Sequence, residues 1–278
     1  MVLFPNCKIN IGLNITSKRS DGFHNLETIF YPVQWTDVLE ITSNQPAVSP
    51  AIHLSGLDIQ GNPAENICLK GYDLLKKDFP QLPSVDIYLH KTIPSGAGLG
   101  GGSADGAFTL KLLNAKFNLG LTEKQLIEYS LQLGSDCPFF IYNKPCFAGG
   151  RGEEIQPVSL DLSAYTIMLV NPGIHVNTGW AFSNIRPLQP VKSVRYIIEQ
   201  PPATWKHEMI NDFEAPVFAK YPEIAVIKQK MYEQGAVYAS MSGSGSTVYG
   251  IFASDAVAPI EWPKHYNTAV NQIKLILH

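Results

Sequence analysis

Two early stretches of the chain alternate apolar and polar residues, which is the period of a strand with one buried face. Over 7–16, the apolar face carries Cys7, Ile9, Ile11, Leu13 and Ile15. Over 85–90, it carries Val85, Ile87 and Leu89. Lys8 and Asn10 share the opposite face of the first strand, where an isolated lysine is expected to be exposed to solvent. The pattern therefore predicts two half-buried strands.

The rest of the chain mixes further strands with amphipathic helices. Strands are predicted at 24–33, 35–42, 51–54, 165–170, 236–241 and 247–252. One helix opens at Asn62, with Pro63 in its first turn and Glu65 closing a capping box. Another runs from its cap, Thr122, to Gly134. Further helices are predicted at 104–113, three times between 186 and 234, and in shortened form at 254–262.

A loop rich in glycine lies between the strand at 85–90 and the helix at 104–113. Its glycines are Gly96, Gly98, Gly100, Gly101 and Gly102. Glycine adopts positive φ and lets the backbone approach a ligand closely. A helix that opens directly out of such a loop presents free N–H groups and a positive dipole end to a phosphate. Ser103 is placed to cap that helix, or to offer its hydroxyl to a phosphate or a metal ion.

The sequence around the glycine loop argues against two common types of phosphate-binding loop, the dinucleotide-binding loop and the Walker loop. The run from Gly96 to Gly101 fits G-x-G-x-x-G, but a dinucleotide site needs a second strand ending in an acid about 20 residues on. Residues 114–118 show neither a strand nor an acid, and no Gly-Lys-Ser/Thr of a Walker loop occurs in the sequence. A glycine-rich turn with no ligand remains the alternative interpretation.

Composition excludes several classes of function. The chain has 278 residues, 45% hydrophobic and 16% charged, with a net charge of −3, so no basic footprint for nucleic acid is present. Its four cysteines form no C-x-x-C and are expected to be reduced thiols: Cys7, Cys68, Cys137 and Cys146. The N-terminus lacks the basic region of a signal peptide, and no apolar run reaches the roughly 20 residues of a membrane span. A cytoplasmic enzyme is expected.

Four separated segments resemble the GHMP kinases, the superfamily of galactokinase, homoserine kinase and mevalonate kinase. Residues 94–104 resemble the P-x-x-x-G-L-G-S-S-A loop of that family. Lys8-Ile9-Asn10-Ile11 resembles its N-terminal signature, with Cys7 in place of the usual alanine. Residues 134–140 are similar to its Gly-Ala/Ser-Asp-Val/Ile-Pro-Phe segment, and residues 242–246 to its third motif. Taken alone, Asp136 suits a helix cap and residues 242–246 suit a flexible hairpin turn.

Two details resemble one branch of the family, whose acceptor is 4-diphosphocytidyl-2-C-methyl-D-erythritol. They are the triple glycine and the run Arg19-x-Asp21-Gly22-Phe23-His24-x-Leu26. This resemblance implies transfer of the γ-phosphoryl group of ATP to the 2-hydroxyl of that acceptor, in the non-mevalonate isoprenoid pathway. Another small-molecule kinase of the family, of homoserine or mevalonate type, and a non-catalytic nucleotide-binding module are the alternatives.

The resemblance also implies an α+β fold of two domains, spanning 1–155 and 156–278. The first is expected to bind ATP and to contain a left-handed βαβ-type crossover. The second is expected to be ferredoxin-like and to bind substrate, with the active site in the interdomain cleft. A monomer or weak homodimer, with no nucleic-acid or membrane partner, is expected.

The family's functional residues carry over to matching positions of this chain. Lys8 and Asp136 are the expected catalytic pair, with the aspartate as base. ATP is expected to contact Pro94, Ser95, Gly96, Ala97, Gly98, Leu99, Gly100, Gly101, Gly102, Ser103 and Ala104. The cytidine-diphosphate substrate is expected to contact Asn10, Phe23, His24, Phe182, Gly243 and Ser244. Mg²⁺ is the expected metal, with Ser103 as a possible ligand, and Arg151 either touches phosphate or is solvated.

Overall fold

The computed structural model describes residues 1–43, 49–59, 61–253 and 260–272. Its strands are β1 (Val2–Leu3), β2 (Asn6–Lys18), β3 (His24–Thr36), β4 (Val38–Ser43), β5 (Ala51–Gly56), β6 (Val85–Lys91), β7 (Cys146–Gly149), β8 (Glu154–Pro157), β9 (Tyr165–Asn171), β10 (Tyr238–Met241), β11 (Val248–Ala253) and β12 (Asn267–Gln272). The sequence did not predict β1, β8 or β12.

The α-helices are α1 (Ile67–Asp78), α2 (Gly101–Phe117), α3 (Glu123–Leu131), α4 (Cys137–Tyr142), α5 (Thr178–Ser183), α6 (Val194–Ile197), α7 (Glu214–Lys220) and α8 (Pro222–Glu233). Two 3-10 helices span Pro63–Glu65 and Pro202–His207. The predicted mixture of helices and sheets is confirmed. The helix predicted at 254–262 lies largely outside the described residues. No helix in the described part of the chain is long and apolar enough to cross a membrane.

Helix capping follows the sequence at one position and departs from it at another. The capping box of Thr122 and Gln125 opens α3, as predicted, although the helix ends at Leu131 rather than Gly134. Asn62, by contrast, caps only the short 3-10 helix, and Asn66 caps α1. The predicted capping box with Glu65 is therefore wrong, because a second asparagine starts the longer helix.

The chain forms two compact units. Unit 1 comprises residues 1–7, 34–95 and 100–143, and unit 2 comprises 8–33, 96–99 and 144–278. These units are defined by packing within each, so the predicted sequence domains 1–155 and 156–278 stay a prediction.

Unit 1 contains the sheet β1-β4-β6-β5, in which β5 runs parallel to β6 and the other pairs are antiparallel. The apolar face of β6 is buried, as its alternation predicts. Helix α2 packs against α1 closely enough that a Cβ on Gly106 would lie 2.8 Å from Ile67 Cγ1. Residues on several sides of α2 are buried, including Asp105 and Thr109, so it is a core helix rather than a surface one.

Unit 2 contains the sheet β10-β11-β9-β12 and, over residues 8–18, 24–33, 146–149 and 154–157, the sheet β2-β3-β7-β8. A core of this unit joins β9, β10 and β11 to α7 and α8, and also takes in Leu13 and Ile15 of β2. The first ten residues of β2 are all buried. The expected exposed face of this strand is therefore absent: Lys8 is 4% exposed and Asn10 is 2% exposed.

Candidate active site

Three of the five glycines of the predicted loop take positive φ, whereas Gly101 and Gly102 lie in the first turn of α2, which begins before the predicted residue 104. Gly96, Gly98 and Gly100 have φ of 65°, 77° and 69°, in the left-handed region that favours glycine. Gly100 is the N-cap of α2, and it has no side chain with which to close the end of the helix. The prediction that Ser103 caps this helix is wrong, because Ser103 lies inside the first turn. The loop therefore leads into a helix whose first backbone N–H groups have no side-chain cap, and such a helix N-terminus can bind an anion.

In unit 1, a buried cation lies between two carboxylates beside this helix. The Lys91 ammonium donates to Asp37 and, at 2.7 Å, to Asp105 Oδ2. Asp37 Oδ1 also accepts from the backbone N–H groups of Thr92 and Ile93, which lead into the loop. The network therefore ties the end of β6 to α2.

Burial and the neighbouring charges together shift the pKa values of Lys91 and Asp105. Burial acts to lower the pKa of Lys91, but the charges of Asp105 and Asp37 outweigh it, so the pKa is raised. Burial raises the pKa of Asp105 to about 7, against the attraction of Lys91. Asp105 Oδ1 has no hydrogen-bond partner in the described part of the chain. A buried acceptor without a partner is costly unless a ligand supplies a donor.

A cavity of about 230 Å³ in unit 1 adjoins this cluster. Polar residues that line it include Asn62, Asn66, Lys91, Ser95 and Asp105, with Gly102 of the first turn of α2. Leu54, Ile59 and Ile67 supply apolar lining. A partly apolar recess beside an open helix end suits a ligand with a ring and an anionic group.

Asp136 occupies the N-cap position of α4, and its side chain makes no capping hydrogen bond there. Asp136 therefore takes the cap position that the simpler interpretation gives it, but it does not cap the helix with its side chain. Its neighbour Cys137 is buried and interacts with the side chain of Ser103, and burial raises the pKa of its thiol to about 12. All four cysteines are buried and free of disulfides, as predicted.

In unit 2, residues 96–99 of the glycine loop are clamped by two other segments. Lys8 N donates to Leu99 O at 2.9 Å, and Thr247 N donates to Ala97 O at 3.2 Å. Ser242 Oγ donates to Gly98 O at 2.7 Å. The segment 242–246 is a hairpin turn between the antiparallel strands β10 and β11, as its sequence suggests. Ser242 and Ser246 are fully buried, so the turn is packed against its surroundings and is not a free surface loop.

The two segments that bind residues 96–99, one around Lys8 and the other over 242–247, include the predicted substrate residues Asn10, Gly243 and Ser244. Asn10 N donates to Ser242 Oγ at 3.2 Å, and a Cβ on Gly243 would lie 3.4 Å from Asn10 Oδ1. Ser244 Oγ hydrogen-bonds Thr178 Oγ1 at 3.1 Å. The structure thus brings Asn10 and Gly243 together and places Ser244 against the first residue of α5.

Lys8 is held among buried groups of unit 2. Its ammonium donates to Asn10 Oδ1 at 2.5 Å and lies 4.7 Å from the centroid of the Phe30 ring. Asn10 Nδ2 in turn donates to Thr28 Oγ1 at 3.1 Å. A buried ammonium needs such partners, because water no longer solvates it.

Two of the predicted cytosine-binding side chains contact each other. The His24 ring stacks on Phe182 with centroids 4.9 Å apart and planes at 16°, and Phe182 meets Phe213 edge-on. Burial, helped by the charge of Lys18, lowers the pKa of His24, which favours a neutral imidazole that donates through one nitrogen and accepts through the other.

The turn before His24 forms as its Asp-Gly sequence predicts. Asp21 Oδ1 accepts from Phe23 N at 3.1 Å, and Gly22 has a φ of 87°. Phe23 is 53% exposed, and the Arg151 guanidinium lies 4.8 Å from its ring centroid. Arg151 also bonds Glu153, so it is neither free nor simply solvated.

Sequence reasoning missed Lys91, Asp37, Asp105, Thr28 and Asn211. Asn211 Nδ2 donates to both Met241 O and Gly243 O, and so holds the beginning of the segment 242–246 in place. Of these residues, only Lys91 could have been recognised from the sequence. It is the next residue on the face of β6 that holds Val85, Ile87 and Leu89, so it is a lysine on an apolar face. Lys8 belongs to unit 2 and Asp136 to unit 1, and their pairing stays a prediction.

Comparison with known proteins gives consistent matches over nearly the whole chain. The models "GHMP kinases N terminal domain" and "GHMP kinases C terminal" match residues 66–144 and 198–261. The 4-diphosphocytidyl-2-C-methyl-D-erythritol kinase of Bacteroides fragilis is 56% identical over 92% of this chain and 93% of its own. That of Bacteroides thetaiotaomicron is 52% identical over 93% and 94%. A crystal structure of 4-(cytidine 5'-diphospho)-2C-methyl-D-erythritol kinase matches with a TM-score of 0.76 and 31% identity over 91% of both chains.

Proposed function

The chain belongs to the 4-diphosphocytidyl-2-C-methyl-D-erythritol kinases of the GHMP kinase family, and on this basis we propose its reaction and the roles of its residues. The enzyme is an ATP-dependent small-molecule kinase. It moves the γ-phosphoryl group of ATP to the 2-hydroxyl of 4-diphosphocytidyl-2-C-methyl-D-erythritol, giving the 2-phosphate and ADP. The setting is the cytoplasm and the non-mevalonate isoprenoid pathway.

The observation that carries the nucleotide half of this proposal is the open N-terminus of α2 beside the 230 Å³ cavity. Residues 94–104 would hold the phosphates through their backbone N–H groups, apart from Pro94, which has none. Gly98 and Gly100, both at positive φ, have no side chain to block the phosphates. Asp105, whose Oδ1 has no hydrogen-bond partner among the described residues, is one of the residues that line this cavity.

Mg²⁺ would offset the negative charge of the phosphates during transfer. The described residues contain no cluster of three or more metal-ligating side chains. That fits magnesium, which is usually held by substrate phosphates, water and one or two protein oxygens. The half-buried Ser103 hydroxyl in the first turn of α2 is the candidate protein ligand.

Lys8 and Asp136 would act together in the phosphoryl transfer. Asp136 would accept or orient the proton of the 2-hydroxyl, and the Lys8 ammonium would offset charge on the transferred group. Support for the lysine comes from its burial at 4% exposure against Asn10 and Phe30, a position that an ordinary surface lysine does not take.

His24 would hydrogen-bond the edge of the cytosine, and Phe182 and Phe23 would stack on it. Support for this comes from the His24–Phe182 stack, which already presents an aromatic surface and a neutral imidazole. Asn10, Gly243 and Ser244 would contact the rest of the substrate.

The test is a coupled ADP-release assay on the purified chain with three acceptors: the cytidine-diphosphate alcohol, homoserine and mevalonate. The proposal expects a kcat/KM for the first acceptor at least about 10²-fold above the others, since a site that hydrogen-bonds a substrate group discriminates strongly against acceptors that lack it. Equal turnover of homoserine or mevalonate, or no turnover of the cytidine compound, would contradict it.

A further inference from the structure

Five buried residues, three of them with polar side chains, form a row on β2 and β3, which are hydrogen-bonded neighbours in one sheet of unit 2. Lys8, Asn10 and Gly12 alternate along β2, and Thr28 and Phe30 alternate along β3. The threonine is fully buried, and the other side chains of the row are at most 4% exposed. Solvent water cannot hydrogen-bond these buried groups, so each polar atom must find its hydrogen-bond partner within the protein.

The direction of the hydrogen bonds in this row follows from the Thr28 hydroxyl. A hydroxyl has one proton, and Thr28 Oγ1 donates it to Gly12 O at 2.5 Å. The same oxygen can therefore only accept from Asn10, whose Nδ2 lies 3.1 Å away. With its amide nitrogen held there, Asn10 turns its carbonyl oxygen Oδ1 toward the Lys8 ammonium at 2.5 Å.

The opposite amide orientation would point two donors at each other. Asn10 Nδ2 would then face the Lys8 ammonium, and its Oδ1 would face a Thr28 hydroxyl whose proton is already donated to Gly12. The backbone of Asn10 is fixed as well, since its N–H donates to Ser242 Oγ and its carbonyl accepts from Tyr249 OH at 2.9 Å. Only the side-chain amide is left to be oriented.

We propose that Thr28 is a positioning residue for phosphoryl transfer: its hydroxyl fixes the Asn10 amide, which in turn holds the Lys8 ammonium in place. This rests on the proposed function, in which Lys8 offsets charge on the transferred group. A lysine side chain is long and flexible, and a misplacement of a catalytic group by about 1 Å costs up to roughly 10²-fold in rate. Thr28 itself need not touch any substrate.

The experiment compares Thr28→Val, which keeps the shape but removes the hydroxyl, with Thr28→Ser, which keeps the hydroxyl. Thr28→Val is expected to lower kcat about 10–100-fold with the KM for ATP unchanged, and Thr28→Ser to stay within about threefold of wild type. The matched control is Thr166→Val in the same unit, where a threonine 1% exposed has a hydroxyl with no partner among the described residues. Its kcat is expected to be that of the wild type.

A second measurement, by NMR, follows the position of the Lys8 ammonium independently of activity. In ¹⁵N-lysine-labelled protein, the ammonium signal of Lys8, assigned by its loss in Lys8→Met, is expected to shift in Thr28→Val and to stay put in Thr28→Ser and Thr166→Val. If Thr28→Val does not fold, Thr28→Cys replaces it, because a thiol is a weak donor and acceptor and should give an intermediate shift and rate.

The possible outcomes separate the two proposals. An unmoved Lys8 signal in Thr28→Val overturns the row itself. A shifted signal with wild-type kcat overturns the positioning role of Thr28. A third outcome is that the wild-type protein phosphorylates none of the acceptors while its Lys8 signal still depends on the Thr28 hydroxyl. This outcome contradicts the proposed function, and with it the catalytic role of the row. It leaves the order of hydrogen bonds from Thr28 through Asn10 to Lys8 intact.

Discussion

Replacing Gly98 by alanine tests the close packing of the glycine loop within unit 2. A Cβ on Gly98 would overlap Ser242 O, lie 2.9 Å from the Ser242 carbonyl carbon and lie 3.2 Å from Gly245 O. These are backbone atoms, which cannot swing aside as a flexible side chain can. The φ of 77° adds strain of its own, because alanine disfavours the left-handed region.

The expected loss of stability has two parts. The left-handed backbone costs an alanine roughly 1–2 kcal/mol. Forcing extra volume into a close-packed contact typically costs a further 1–3 kcal/mol, roughly. Gly98→Ala is therefore expected to lower the free energy of unfolding by about 2–5 kcal/mol. It should also raise the KM for ATP, since relief of the clash displaces either residues 96–99 or the segment 242–246.

Gly120 provides the matched control for this substitution. Its φ of 72° is nearly the same, but a Cβ there would meet nothing within 4 Å. Gly120→Ala is therefore expected to lose only about 1–2 kcal/mol and to keep the wild-type KM for ATP. Urea denaturation and initial-rate kinetics measure both quantities. Equal destabilisation by the two substitutions would refute the clash, and an unchanged ATP KM in folded Gly98→Ala would refute the role of the loop.

Three further predictions concern the site. His24→Ala is expected to weaken binding of the cytidine substrate by about 1–3 kcal/mol while leaving ATP binding unchanged; parallel losses of both affinities in isothermal titration would count against base recognition by His24. Asp136→Asn and Lys8→Ala are each expected to lower kcat about 10²–10⁴-fold, and the double variant little further; single-variant losses that multiply would show that the two act independently. Since burial raises the pKa of Asp105 to about 7, the folded protein keeps a proton that the unfolded chain releases near the ordinary value of 3.8, so stability should fall as pH rises between these values. Asp105→Asn should lack this slope in urea denaturation at about pH 5 and pH 8, and parallel curves would contradict the assignment.

Local signals in the sequence were sufficient for the loop and the turn of the candidate site. Glycine spacing predicted the positive φ of Gly96, Gly98 and Gly100, and Asp21-Gly22 predicted the turn between β2 and β3. Each of these features depends on the conformational preference of residues close together in the chain, so the sequence contains the whole cause.

Contacts between distant residues were not predictable in this way. Asp37 and Lys91 are 54 residues apart, and no local pattern indicates that a carboxylate will meet that ammonium. The alternation in 7–16 likewise predicted an exposed Lys8, because periodicity shows that one face is apolar but cannot show that the polar face is covered too. Thr28 is recognisable as a partner of Asn10 only once the two strands are paired.

The position of the new phosphate in the product is the most direct test of the central claim. C2 of 4-diphosphocytidyl-2-C-methyl-D-erythritol carries a methyl group and no hydrogen, so a phosphate on its oxygen has no three-bond coupling to a carbinol proton. We predict that proton-coupled ³¹P NMR of the purified reaction product shows a new phosphomonoester singlet beside the two diphosphate signals and an equal amount of ADP. A doublet or triplet, which would place the phosphate on a secondary or primary hydroxyl, or no new phosphomonoester despite ATP consumption, would contradict the account.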